Sequence, residues 1–180
     1  ASSQQFDQMG VKTTIVQMTT ERPDRGPGVE TKICIPSDEY TKLENDDQLI
    51  GSHQNGEFRY GYKKADLQKA IEECKTGGIV FMELNPFAQP NFPSEFKEKM
   101  GVDVTAWIGV KNTIEQTEIS MRERGESEDS IKERIAKVKK YYDAMEENPF
   151  ISYVDNGPTN RTGSTGDFVK VIKDKVKETA

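Results

Sequence analysis

The stretch KADLQKAIEECKTGGIVFMEL, residues 64–84, decides the fold class. Leu67, Ala70, Ile71 and Cys74 recur at helical spacing, and Gly77 is a natural helix stop. IVFMEL (79–84) then runs apolar without alternation. That is the pattern of a strand covered on both faces, which is how parallel sheets are built. A helix feeding such a strand is half of an α/β unit.

The same grammar continues outward. Toward the C-terminus come a loop, NPFAQPNFP (85–93), a short helix, SEFKEKMG (94–101), and a third apolar strand, VTAWIGV (104–110). Residues 112–147 are highly charged and helical, with a break near Gly125. ISYV (151–154) is a fourth strand. DFVKVIKDKVKE (167–178) closes the chain as a helix with Phe168, Val169, Ile172 and Val176 on one face. Toward the N-terminus, VKTTIVQM (11–18) reads as a strand, ERPDRGPGVET (21–31) as a loop, and residues 32–35 as a short strand. Ser37 is placed to cap the helix SDEYTKLEN. GSHQNGEFRYGY (51–62) reads as a turn and a short strand, and residues 1–10 as polar and loose. The expectation is an α/β fold with a mainly parallel sheet and flanking helices, residues 1–180 forming one domain without internal repeats.

Composition narrows the function. The chain has 180 residues, 33% hydrophobic and 31% charged, with a mean hydropathy of −0.78. Lys and Arg number 25 against 31 Asp and Glu, for a net charge of −6 and a pI near 5.0. Duplex nucleic acid is excluded as the main partner, since phosphate backbones need a cationic surface. No apolar run approaches the roughly 20 residues of a membrane span. No signal peptide is visible, and the first residue is Ala, so processing or cleavage is expected to have set this N-terminus. Cys34 and Cys74 lack metal spacing and read as small buried residues of a reducing, cytoplasmic compartment. A single histidine, His53, argues against a zinc site or a Ser-His-Asp triad, and no metal ligand set is expected.

Two arginine groups could carry chemistry. Arg22 and Arg25 sit three apart in TTERPDR, where guanidinium forks match phosphate oxygens. Arg122, Arg124 and Arg134 flank Gly125 in MRERGESEDSIKER, with Ser127 capping the second helix, the layout of a lid that carries arginines to a charged ligand. Each group also reads as an ordinary solvated surface. Tyr60 could offer a phenol to a phosphate or simply pack. Glu83 ends IVFMEL, where open α/β sheets bind ligands, or it faces water.

The order of these pieces resembles the guanylate kinase family from about Lys12 to the C-terminus. TT–RxxR, a short strand, PSxEY at a helix start, YG, a helix ending in GG, an apolar strand ending in a carboxylate, a further strand, an R-G-x-S-E–SI–R lid, and a last strand entering DN occur colinearly. The resemblance implies a small inserted monophosphate-binding lobe (about 20–62) and a helical lid (about 112–147). It implies that Arg22, Arg25 and Tyr60, with Thr20 beside them, hold a monophosphate. It places Glu83, at the end of the strand, in the same monophosphate-binding set, Arg124 and Arg134 at the transferring phosphoryl group, and Asn156 on the adenine side.

Departures from the family shape the function. The family opens with a strand followed by G-x-x-x-x-G-K-[ST], a loop that cradles ATP phosphates. None of these 180 residues form that motif. GPTNRTGST (157–165) follows a strand and precedes a helix but lacks the lysine, and it stays open between a flexible nest and a phosphate loop. The family's first strand lies between the equivalents of IVFMEL and VTAWIGV. Without it those strands pair directly, take a strand from a partner chain, or recruit residues 1–10. The family's base-reading positions fall on Gly51, near Ile33, and on Tyr62. Two functions follow. One is a non-catalytic or altered guanylate kinase-like protein without a cofactor, binding a nucleoside monophosphate or a phosphorylated partner. The other is an active (deoxy)nucleoside monophosphate kinase using Mg-ATP.

Overall fold

The computed structural model describes residues 6, 10–27, 31–85, 88–89, 91–104, 106–147, 151–155 and 163–179. The chain divides into two compact units, Ser3–Val104 and Ala1–Ser2 with Thr105–Ala180. Each is mixed α/β.

In the first unit, β1 (Thr13–Val16) pairs in parallel with β6 (Ile79–Met82), placing Thr13 opposite Ile79 and Val16 opposite Met82. Helix α2 (Lys64–Cys74) turns Leu67, Ala70 and Cys74 inward, as its spacing requires. Cys74 Sγ lies 3.6 Å from Thr14 Oγ1 on β1. Of residues 1–10 only Phe6 and Gly10 are described; Phe6 is buried, its ring 5.8 Å from that of Phe81, as the large area of an aromatic side chain favours.

A second sheet in this unit has the order β3-β2-β5-β4, built from Ile33–Cys34, Thr19–Thr20, Phe58–Lys63 and Leu49–Asn55. It is antiparallel except for β2 and β3. Residues 51–62 are thus most of a hairpin rather than a turn and one short strand. Asn55 pairs with Phe58, so the turn is Gly56-Glu57, and Gly56 takes the left-handed φ of 66° that the first position of such a tight turn needs. Helix α1 (Ser37–Asn45) buries Tyr40. Ser37 does not cap it. The helix begins one residue earlier, with Pro36 at the cap position and Ser37 as its first helical residue, and the Ser37 hydroxyl donates to Glu21 Oε2 at 2.6 Å. Helix α3 (Phe92–Met100) starts two residues before SEFKEKMG, with Pro93 in its first turn, and buries Phe92 and Phe96.

In the second unit, β7 (Trp107–Lys111) and β8 (Ile151–Asp155) form a parallel pair of their own. Among the described residues the strands form three separate sheets, two of them parallel pairs, rather than the one mainly parallel sheet expected. Between them lie α4 (Ile114–Glu123) and α5 (Glu128–Glu147). Met121, Ile131 and Ile135 form their shared core, with Ile114 against it, each buried side chain contributing roughly 2 kcal/mol. Gly125 breaks the pair with φ 75°, and Ser127 Oγ accepts from the Ser130 N–H at 3.3 Å, as its capping position foretold. Helix α6 (Gly163–Thr179) buries Val169 and Ile172.

Candidate functional site

The candidate site in the first unit grows from one strand pairing. Thr20 on β2 faces Tyr60 on β5 across an antiparallel ladder. Both are buried. Thr20 Oγ1 donates to the Arg59 carbonyl at 2.9 Å and accepts the Arg22 N–H at 3.2 Å. One hydroxyl thus ties the start of the arginine loop to β5. Arg22 is half-buried and Arg25 exposed, and between them Asp24 Oδ1 accepts from the Gly26 N–H at 2.8 Å, the side-chain turn expected of Asp in this position. His53 stacks on Tyr60 with ring centroids 5.8 Å apart. Thr20 thus ties the Arg22 backbone to the strand that carries Tyr60.

Glu83 follows the C-terminal end of β6 as expected. Its carboxylate is 74% exposed and pairs with Lys32 Nζ at 2.8 Å, while its carbonyl accepts from the buried Tyr62 hydroxyl. Burial raises the Tyr62 hydroxyl above its ordinary pKa, so it acts there as a neutral donor.

The space beside Gly51 is filled by the chain itself. Gly51 has φ 63° at a bulge in β4, and a Cβ built there would lie 2.5 Å from Gln89 Nε2 and 2.6 Å from the Phe92 ring. Its carbonyl accepts from Gln89 Nε2 at 2.8 Å, with His53 Nδ1 2.9 Å away, and its N–H donates to Glu95 Oε2 at 3.2 Å. No larger side chain can stand at Gly51 without moving α3.

Sequence reasoning missed the strongest electrostatic feature of this unit. Arg59 donates from Nε and Nη2 to the two oxygens of Glu21 at 2.9 and 2.7 Å, and from its backbone N–H to Glu21 Oε1 at 3.1 Å. Its Nη1 donates to Glu44 at 2.9 Å and Nη2 also to Thr41 Oγ1 at 2.9 Å. The guanidinium stacks 4.8 Å over the Tyr40 ring. Tyr40 OH reaches Ser52 Oγ at 3.1 Å, and Ser52 in turn donates to Glu44. Arg59 holds the Glu21 carboxyl down to about 2, and burial pushes the Tyr40 hydroxyl up to about 12. The signal lay in pairing: Glu21 follows Thr20 and Arg59 precedes Tyr60, so the Thr20–Tyr60 register makes them neighbours.

In the second unit Arg124 and Arg134 meet on one carboxylate. Arg124 Nη2 is 3.1 Å from Glu126 Oε1, and Arg134 Nη1 lies 2.7 and 2.6 Å from its two oxygens. Arg122 is separate, with Glu128 at 2.8 Å and Glu118 at 3.5 Å. Asn156, and residues 157–162 of the glycine-rich loop, lie outside the described residues. Among the described residues no group of three His, Cys, Asp or Glu side chains is placed to hold a metal ion, and no helix is long and apolar enough to cross a membrane.

No protein-family profile matches the sequence, and no curated protein matches it. Among solved structures the chain is similar to guanylate kinase from Anaplasma phagocytophilum, with a TM-score of 0.61 at 12% identity, over 97% of this chain and 81% of that one. At that identity the likeness speaks for the architecture alone: the chain has a guanylate kinase-like fold.

Proposed function

We propose that this chain uses the Thr20–Arg22–Arg25–Tyr60 corner to bind a phosphate-bearing ligand, a nucleoside monophosphate or a phosphorylated partner, without turning it over. The observation that carries the reading is the Thr20 hydroxyl, which fixes the Arg22 backbone beside Tyr60. Guanidinium and phenol groups suit phosphate oxygens, and a backbone fixed before binding lowers the entropy lost on binding. Gln89, Phe92 and the bulge at Gly51 occupy the base-reading side, so the phosphate rather than the base is the recognised group.

A second reading, an active (deoxy)nucleoside monophosphate kinase using Mg-ATP, is favoured by the convergence of Arg124 and Arg134, since two guanidinium groups at one point suit a transferring phosphoryl group. Magnesium would then arrive with the ATP.

Calorimetric titration with ribo- and deoxynucleoside monophosphates and a phosphopeptide, alongside an ADP-release assay with Mg-ATP, tests both. The non-catalytic reading expects binding that weakens at least tenfold in Arg22→Ala, with no ADP release. Release of ADP that depends on one monophosphate and is lost in Arg134→Ala establishes the kinase. Absence of any phosphate-dependent binding overturns both.

A further inference from the structure

Glu126 is the feature that the reading above leaves without a task. It lies in the turn between α4 and α5. The turn is made by backbone: the Gly125 N–H donates to the Arg122 carbonyl at 2.9 Å and the Glu126 N–H to the Met121 carbonyl at 3.2 Å. The helix pair is held by Met121, Ile131 and Ile135. Neither needs the Glu126 carboxylate. Yet that carboxylate is only 17% exposed, because Arg124 and Arg134 close over it, and both guanidinium groups reach the same atom, Oε1. Arg124 is further steadied by donating Nε to the Ser120 carbonyl at 3.1 Å.

The charge count separates this group from its neighbour. Arg122 faces two carboxylates, Glu118 and Glu128, which leaves that group negative. Arg124 and Arg134 share one, which leaves theirs positive on a chain whose net charge is −6. An anion approaching α4 and α5 is repelled by the first group and attracted by the second.

We propose that Glu126 is a tethered stand-in for a phosphoryl group: its carboxylate keeps Arg124 and Arg134 assembled as an oxyanion receptor and yields its place to the terminal phosphoryl group of a polyphosphate. A carboxylate brings one charge and two oxygens. A terminal phosphoryl group brings up to two charges and three oxygens, enough for both guanidinium forks at once. The tether gives Glu126 a high effective concentration, so it competes with every ligand and lowers apparent affinity. This rests on the role given to the arginine pair in the kinase reading, and it adds the residue that regulates them.

The test is calorimetric titration of the whole chain with inorganic tripolyphosphate, at low and then high ionic strength. Glu126→Gln keeps the size of the side chain and removes the competing charge. It is expected to bind tripolyphosphate about tenfold more tightly than the parent chain, with a steeper salt dependence. Adding Arg134→Ala to that variant is expected to bring affinity below that of the parent. Helix content by far-UV circular dichroism serves as the folding check. A merely structural Glu126 would lower thermal stability and leave affinity unchanged or reduced, and that result overturns the proposal. So does equal affinity in the single and double variants, which places the anion elsewhere, and so does an absence of binding in both parent and Glu126→Gln. A parallel titration with a nucleoside monophosphate separates the two ideas. Monophosphate binding lost in Arg22→Ala, with no gain in Glu126→Gln, fails the stand-in alone. A gain for tripolyphosphate without monophosphate binding fails the monophosphate-site reading alone.

Discussion

Two arginine–glutamate clusters differ in burial and in count. Arg59, 26% exposed, is outnumbered by Glu21 and Glu44 and has its donors spent on them and on Thr41. Arg124 and Arg134, 58% and 48% exposed, outnumber Glu126. The first cluster joins β2, β5 and α1 and leaves nothing for a ligand. The second joins one turn to one helix and keeps positive charge in reach of solvent. Identical residue types thus serve cohesion in one place and, in the role proposed above, recognition in another, the difference being stoichiometry and solvent access.

The largest expected effect breaks the first cluster. Arg59→Ala leaves Glu21, 10% exposed, without the guanidinium that satisfies it, and should lower unfolding stability by about 3 kcal/mol in urea titration. A loss as small as that of a surface pair would erase the contrast between the clusters. Next comes Gly51→Ala, expected to cost about 2 kcal/mol: the new Cβ meets Gln89 and Phe92, and the φ of 63° disfavours any side chain. A neutral result would show that α3 can move away from the bulge.

Acid sharpens the comparison. Hydrogen bonds from Arg59 chiefly hold the Glu21 carboxyl down to about 2, against 4.5 when unfolded. A depressed carboxyl pKa stabilises the fold fully above the unfolded value, and that contribution is lost as pH falls from about 4.5 toward 2. After screening it is worth about 2 kcal/mol. Asp47, held down to about 2 chiefly by Lys64 and then Lys99, titrates over the same window, so the raw acid profile is composite. The difference between the parent chain and Glu21→Gln isolates Glu21. That difference should shrink across the window, and a constant difference would show that the Arg59 pairing does not hold the carboxyl down.

Legibility from sequence followed the range of the interaction. Helix α2 and strand β6 were readable because their apolar spacing is a local property, set by the period of the element itself. The α4–Gly125–α5 break was readable for the same reason, and Ser127 with it. The hairpin at 49–63 carries its local signal in Gly56, the first residue of the Gly56-Glu57 turn. Sheet continuity was not readable, because which strands share a ladder depends on pairings distant in sequence. Within the site, Thr20, Arg22 and Tyr60 were named from residue chemistry and order. Arg59, Gln89 and Glu126 were not, since each acquires its place only through partners: Glu21 lies 38 residues from Arg59, and Gln89 lies 38 from Gly51. Glu126 is close to both its arginines in sequence, but a surface glutamate beside arginines is too common a pattern to single out.

The smallest expected effect falls on the second cluster. Arg134→Ala should change unfolding stability by about 0.5 kcal/mol or less, because Arg134 is half-exposed, Arg124 still faces Glu126, and the side chain lies outside the Met121–Ile131–Ile135 core. That small change should shrink further at high ionic strength, as screening weakens an exposed pair first. The Arg59→Ala loss should persist in the same salt, because its partner Glu21 is sheltered and the hydrogen bonds to Glu21 and Thr41 are short-range. Measuring both variants in low and high salt therefore compares the clusters directly. A salt-resistant loss of about 2 kcal/mol in Arg134→Ala would mean that Glu126 and Arg134 are part of the framework of the helix pair, and the charge left over there would be a by-product of stability rather than a site.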